Sequence, residues 1–192
     1  MEFVYIEPCC LSFLSILNDS LLDGLLFCRG QALDDFRSKK ASAPPGKVYL
    51  SPIIDCFDGM PITWTVGTSP NAELVNTMLD NAIVLLKENE HPIVHSDRGC
   101  HYRWSGWIQR MDEAGLTRSM SKKGCSPDNL ACEGFFGRMK NEMFYGEKWD
   151  KISVEEFISI INQYMQWYRD KRIKLSLGGL SPMEYRRSLG IA

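Results

Sequence analysis

The sequence lacks the cysteine patterns that mark a secreted domain or a structural zinc site. Its seven cysteines are odd in number and include no C-x-x-C pair. A chain of 192 residues is also long enough to build a hydrophobic core without disulfides. The histidines and cysteines between positions 95 and 132 match no usual zinc-ligand spacing. We therefore expect reduced thiols and a cytoplasmic protein.

No apolar run is long and clean enough to span a membrane. The most apolar stretch, from Cys9 to Cys28, is interrupted by Asn18, Asp19 and Asp23. No basic segment precedes it and no A-x-A-like cleavage site comes after it. The sequence thus predicts neither a signal peptide nor a transmembrane helix.

The chain also lacks a large excess of positive charge, since its formal net charge is -2. Charge is nevertheless uneven along it. Eight Lys or Arg residues stand against four Asp or Glu residues between Arg98 and Lys140. Such a local excess is typical of a surface that faces phosphate groups.

Two parts of the chain differ in their patterning. Residues 1–45 are hydrophobic without a clean period and end in the linker-like stretch RSKKASAPPG, so we interpret them as a segment unrelated to the rest of the chain. From Gly46 onward, KVYLSPIIDCFDG and PITWTVG predict a hairpin that turns at Asp58 and Gly59. A helix is predicted to begin at Ser69-Pro70 and to run to about Glu88.

Strands and helices alternate through the middle of the chain. PIVHSD predicts a strand, WSGWIQRMDEAG a helix that ends at Gly115, and LTRSMS a further strand. Three helices are predicted after them, over 129–145, 153–172 and 182–189. This order predicts an α/β fold with C-terminal helices.

Two carboxylates stand out from this pattern. Asp97 ends the strand PIVHSD and precedes Arg, Gly, Cys and His. One interpretation is a turn that the aspartate caps; the other is a carboxylate on the rim of a sheet, within reach of a metal or substrate. Between Asp97 and Glu133 lie 35 residues, which is room for one crossover that returns a second acidic group to the same sheet edge.

The predicted helix that carries Glu133 has a continuous apolar stripe. It consists of Cys132, Phe135, Phe136, Met139 and Met143. Glu133 lies one position off that stripe, roughly 100° around the helix, and Lys140 comes seven residues later on the same flank. Several carboxylates are what a two-metal phosphoryl-transfer site requires, because two divalent ions so close together repel each other unless anionic oxygens lie between them.

These motifs together resemble a known family. VHSDRGCHY, the 35-residue gap, SPDNLACEGFFGRMKNE and the ending WYRDKRIKLSLGGLSPMEY look like the integrase-type catalytic core of bacterial insertion-sequence transposases, which are relatives of retroviral integrases. The resemblance covers residues 46–192, which we take as the integrase-like core with its C-terminal helices. It implies a ribonuclease-H-like fold, a mixed α/β sheet flanked by helices.

The resemblance also implies a chemistry. The family uses an Asp, Asp, Glu triad and two Mg²⁺ or Mn²⁺ ions to cleave DNA and transfer strands during DNA integration and transposition. By position, Asp97 matches the second aspartate and Glu133 the glutamate, so both are expected as catalytic residues and metal ligands. Lys140 matches a basic position near the transferred DNA end, and Arg138, Lys122 and Lys123 are expected to contact the DNA backbone.

One departure from the family pattern concerns the first aspartate. A Trp-x-x-Asp-Ile-Thr-like motif should precede Gly46 by six to nine residues, yet 37–40 read RSKK. We therefore expect a truncated core whose activity is impaired, and the sequence leaves open whether residues 1–45 complete the sheet with a strand of their own. Asp34, Asp35 and Asp55 are the alternatives for the missing ligand.

The resemblance further implies partners and alternatives. Transposon ends and target DNA are the expected partners of a homo-oligomer without membrane contact, in the cytoplasm and associated with the nucleoid. The competing hypothesis is a non-catalytic remnant that binds DNA or dimerises; a hydrolytic nuclease on the same fold is a third.

Overall fold

A computed structural model describes residues 25–28, 31–32, 47–88, 90–97, 99–121, 130–149 and 151–191, the first two ranges as strand backbone only. Its strands are β1 Leu25–Cys28, β2 Gln31–Ala32, β3 Tyr49–Asp55, β4 Pro61–Gly67, β5 Ile93–Ser96 and β6 Thr117–Met120. Its α-helices are α1 Ala72–Ile83, α2 Ser105–Glu113, α3 Leu130–Met139, α4 Val154–Asp170 and α5 Pro182–Ser188. A π-helical turn, Lys140–Phe144, continues α3, and 3-10 turns lie at Cys100–Arg103 and Leu175–Leu177.

The strands form one mixed sheet with β1 at its centre. β1 pairs antiparallel with β3 and parallel with β5, and β5 pairs parallel with β6. β4 and β2 both pair antiparallel with β3. A segment that precedes residue 46 therefore occupies the central position of the sheet, which the sequence alone leaves open.

The hairpin predicted from KVYLSPIIDCFDG and PITWTVG is confirmed. β3 and β4 pair from Tyr49 opposite Gly67 to Ile54 opposite Pro61. The side chain of Asp58 accepts a hydrogen bond from the Met60 amide at 2.9 Å. Gly59 adopts a φ of 70°, a conformation that residues with a Cβ disfavour.

The first helix is shorter than the sequence predicts. It begins after Asn71, whose side chain accepts a hydrogen bond from the Leu74 amide at 3.0 Å, so Pro70 lies outside the helix. An asparagine side chain satisfies a free amide of the first turn, which makes it a stronger start signal than the proline. The helix ends at Ile83, and Leu85 beyond it is 60% exposed.

Helices cover both faces of the sheet. One core cluster packs α1 and α2 against Ile53 of β3 and Val94 of β5. A second packs α3 and α4 against Leu50 and Ile54 of β3. Alternate residues of a strand point to opposite faces, which is how β3 serves both clusters. The α/β fold with C-terminal helices is confirmed.

The helices that come after the sheet begin with strong local signals. Ser153 and Ser181 each open a helix with a capping box, in which the serine accepts from a backbone amide three residues later and a glutamate reaches back. Pro182 occupies the first turn of α5. None of the helices in the described ranges is long and apolar enough to cross a membrane.

Candidate active site

Asp97 lies immediately after β5, half-buried at the rim of the sheet. Its Oδ1 accepts a hydrogen bond from the Gly99 amide at 2.8 Å. A Cβ on residue 99 would lie 2.9 Å from the same oxygen, which favours glycine there. Asp97 therefore caps the turn, as the first interpretation states. The same position leaves its carboxylate at the edge of the sheet, as the second interpretation requires.

His95 fixes the strand that leads to Asp97. Its ring is buried, with Nδ1 2.9 Å from the Ser119 hydroxyl and Nε2 3.0 Å from the Ser121 hydroxyl. Ser119 lies in β6 as the register partner of His95, and Ser121 comes directly after the strand. The histidine therefore ties the ends of two parallel strands together by side-chain hydrogen bonds.

Glu133 lies in the first turn of α3 and is exposed. The apolar stripe beside it is buried as predicted, with Cys132, Phe135 and Met139 each 0% exposed. The helix contacts β1, and β1 pairs with β5, which ends one residue before Asp97. The fold thus brings the elements that carry the two carboxylates together across β1.

The central strand itself brings no third carboxylate, because its sequence is LLFC. Asp34 and Asp35 lie outside the described residues. Within the described part of the chain, no group of three or more His, Cys, Asp or Glu residues is placed to hold a metal ion. Among the described residues, Asp97 and Glu133 are therefore the two candidate carboxylates of this region.

Asp55 is committed to another interaction. It lies at the end of β3, 9% exposed, and its carboxylate binds the Arg186 guanidinium and accepts from the Phe57 amide at 2.9 Å. Burial is the main influence on its pKa, which is raised although Phe57 and Arg186 oppose the change. Asp55 links the hairpin to α5 and is occupied as a structural carboxylate.

Two of the four predicted DNA-binding residues lie in the described part of the chain. Arg138 is exposed in the last turn of α3, and Lys140 is half-buried as the first residue of the π turn. Lys122 and Lys123 lie outside the described residues. Arg138 and Lys140 belong to one continuous helical segment with Glu133, as the sequence predicts.

A network around Glu142 was not predicted. Glu142 accepts hydrogen bonds from Tyr164 at 2.8 Å and from the Nε of Arg172 at 2.8 and 2.9 Å. Arg172 is the main cause of the lowered pKa of Glu142. Glu142 is 22 and 30 residues from these partners, so no local sequence pattern signals the contacts.

Two family models with the same description, integrase core domain, match this chain, one over residues 34–126 and the other over 133–189. A probable transposase for insertion sequence element IS1353 from Shigella flexneri is 59% identical over 148 residues, which are 77% of this chain and 29% of the relative. The putative transposase InsK for IS150 from Escherichia coli K12 is 41% identical over 140 residues, 73% of this chain and 49% of the relative. The chain thus spans about half or less of the length of these curated relatives.

Solved structures share the fold at low sequence identity. The HTLV-2 integrase catalytic core domain, solved in complex with magnesium, matches with a TM-score of 0.59 and 12% identity, over 86% of this chain and 98% of that one. The BIV integrase catalytic core domain matches with a TM-score of 0.60 and 14% identity, over 88% and 97%. These neighbours confirm the expected ribonuclease-H-like fold. Together, the two family matches and the similarity to these relatives show that the chain belongs to the integrase core domain family.

Proposed function

We propose that this chain is the catalytic core of a transposase that acts on DNA by metal-dependent strand cleavage and transfer, with Asp97 and Glu133 as its metal ligands. The observation that carries this proposal is the meeting of β5 and α3 on β1, which brings the elements of both residues to the centre of the sheet. Its relatives are named as transposases of insertion sequences. DNA ends and target DNA are accordingly the proposed substrates of a homo-oligomer.

The donor set supports one metal ion and falls short of two. Mg²⁺ is commonly held by one or two carboxylates, with water and substrate oxygens filling its other positions. Asp97 and Glu133 meet that requirement. A pair of ions needs further anionic oxygens, and β1 contributes none from its sequence LLFC. The residues in the described ranges therefore do not fit a complete two-ion site.

A shortage of carboxylate ligands for a second ion should slow DNA cleavage and strand transfer. Stabilisation of developing charge is the largest contribution in most phosphoryl-transfer sites, so an incomplete ion set lowers the rate steeply. We propose that the part of residues 1–45 that precedes the integrase core match, which begins at residue 34, is foreign to the core, and that β1 fills its place in the sheet without adding a carboxylate. Robust strand transfer by the purified chain would refute the impairment.

DNA contacts are proposed for Arg138 and Lys140, together with Lys122 and Lys123. Binding through such residues releases counterions from the phosphates, so the affinity should fall steeply with salt. The carboxylate-free β1 specifically favours a second function, a non-catalytic remnant that binds DNA or dimerises and interferes with intact copies. The two functions differ in metal binding and agree in salt dependence.

Calorimetry with magnesium and manganese distinguishes them. The parent chain is compared with Asp97→Asn and Glu133→Gln, and Glu155→Gln in α4 serves as a control because Glu155 is an exposed carboxylate in a helical first turn. Weak binding that both site variants abolish and the control retains would support the enzyme. If the folded parent chain binds neither metal ion, the result would support the second function, the non-catalytic remnant.

A further inference from the structure

The π-helical turn Lys140–Phe144 is the segment on which Lys140 is held. Its defining bond runs from the Tyr145 amide to the Lys140 carbonyl at 2.8 Å. A π turn replaces the ordinary i to i-4 bonding and is uncommon, often occurring at functional sites. The direction in which Lys140 leaves the helix therefore depends on how firmly this turn is held in place.

One side of the turn is anchored in the core. Met143 and Phe144 are buried, and the Phe144 ring stacks on Trp149 with centroids 5.7 Å apart. The Trp149 indole also donates to the Phe144 carbonyl at 3.1 Å. These contacts hold the C-terminal end of the turn but do not involve its first residues.

The other side is held by the Glu142 carboxylate, which projects from the middle of the turn to α4 and the residues after it. Tyr164 donates to Oε2, and Arg172 donates to both carboxylate oxygens. The Arg172 guanidinium in turn lies 5.0 Å from the centroid of the Tyr168 ring, and Tyr168 is 0% exposed. Four charge-assisted bonds, including one from Arg172 Nη2, thus fix the Glu142 side chain two positions from Lys140, and the cation–π contact holds Arg172 in place.

We infer that Glu142, Tyr164 and Arg172 form a clamp that positions Lys140 for the DNA end, so that these three are positioning residues for the reaction. The inference rests on the proposed function in so far as DNA is the ligand of Lys140. The clamp itself is a property of the π turn and is measurable without DNA.

Its effect on charge makes Glu142→Gln the decisive variant. Removing a negative charge near a DNA-binding surface strengthens DNA binding if electrostatics alone acts. If Glu142→Gln instead releases the clamp, DNA binding weakens, because Lys140 is then no longer held in a single direction. The two explanations therefore predict changes of opposite sign.

The experiment measures the affinity of the full chain for a fluorescently labelled duplex of about 30 base pairs by anisotropy. We expect Glu142→Gln to weaken binding at least threefold in the parent chain and to cause no loss of affinity in a Lys140→Ala background, because residues that act through a shared group are not additive. Stronger or unchanged binding, or an equal loss in both backgrounds, would overturn the inference.

Asp170→Asn is the matched control. Asp170 is also an arginine-paired carboxylate of the same region, 2.8 Å from Arg169, and the substitution changes charge by the same amount. The affinity of Asp170→Asn for the duplex should equal that of the parent chain or exceed it slightly. Arg172→Lys keeps the charge but loses the planar fork, so it should weaken binding as Glu142→Gln does.

Hydrogen exchange tests the clamp without DNA. Glu142→Gln should speed exchange of the Tyr145 amide at least tenfold, while amides in the middle of α4 keep the rate of the parent chain. Unchanged exchange at Tyr145 would overturn the clamp. Failure of the parent chain to bind the duplex, or binding that Lys140→Ala leaves intact, would instead overturn the proposed DNA contact, so the two failures are distinguishable.

Discussion

Replacing Arg186 with methionine tests the buried ion cluster between α5 and the β3–β4 hairpin. The Arg186 side chain is 14% exposed, and it binds Asp55 and Asp58, whose side chains are 12% and 0% exposed. Its Nε lies 2.6 Å from one oxygen of Asp58 and its Nη2 3.1 Å from the other. The substitution leaves both carboxylates in place without their cation.

Removing one partner of a buried ion pair typically costs about 3–5 kcal/mol, because the remaining charge is left without compensation. The Asp55 and Arg186 side chains keep some contact with solvent, so we expect the lower end, about 3 kcal/mol. For a chain of this size that corresponds to a fall of roughly 6–12 °C in Tm. Urea unfolding at pH 7 measures the free energy directly.

The pH dependence separates lost charge compensation from lost packing. Burial already raises the pKa of Asp55 in the parent chain, and without Arg186 it rises further. A carboxyl whose folded-state pKa exceeds its unfolded-state value favours the folded state below that unfolded value and loses this contribution as pH rises. The deficit of Arg186→Met should therefore shrink as pH falls from 7 towards 4.

Arg187→Met is the control, since Arg187 is an exposed neighbour on the same helix. It should change the free energy of unfolding by less than about 0.5 kcal/mol. A cost below about 1 kcal/mol for Arg186→Met, or a deficit that stays constant with pH, would refute the view that this cluster holds α5 by charge compensation.

Two further predictions concern the helical layer that carries Glu133 and Lys140. Phe135 is 0% exposed, and its ring centroid lies 5.6 Å from that of Phe136. Replacing it with alanine should lower the free energy of unfolding by about 3–5 kcal/mol. A loss under about 2 kcal/mol in urea unfolding would contradict its central place in the core. The lowered pKa of Glu142 means that its ion pair stabilises the folded chain above pH 4.5 and that this contribution is lost as pH falls through the folded-state pKa. The stability difference between the parent chain and Glu142→Gln should therefore be present at pH 7 and shrink as pH falls below 4.5, and a difference that does not change with pH would show that charge is not its origin.

Local patterns in the sequence predict much of the fold. The hairpin, the strand that ends at Asp97 and the buried stripe of α3 each depend on neighbouring residues, through turn chemistry or a period of two or 3.6. The end of α1 could not be predicted in the same way. Its apolar period continues to Leu85, yet the helix ends at Ile83 and the Leu85 side chain is 60% exposed.

The ion pairs between distant parts of the chain could not be predicted from local patterns. Arg186 binds residues 128 and 131 positions away, and Arg172 binds Glu142 across 30 positions. Such pairs form because the fold brings distant charges together, and either residue alone resembles an ordinary surface charge. The position of β1 is a similar case, since LLFC predicts an apolar strand without indicating which strands it will pair with.

The pairing of β1 shows that a sheet and an active site place different demands on a sequence. Backbone hydrogen bonds are the same for every residue type except proline, so a short apolar segment suffices to fill the gap between β3 and β5. A metal site requires a particular side chain at a particular position. A short segment can therefore complete the hydrogen bonding of a sheet without supplying the side chains that the chemistry of a site needs.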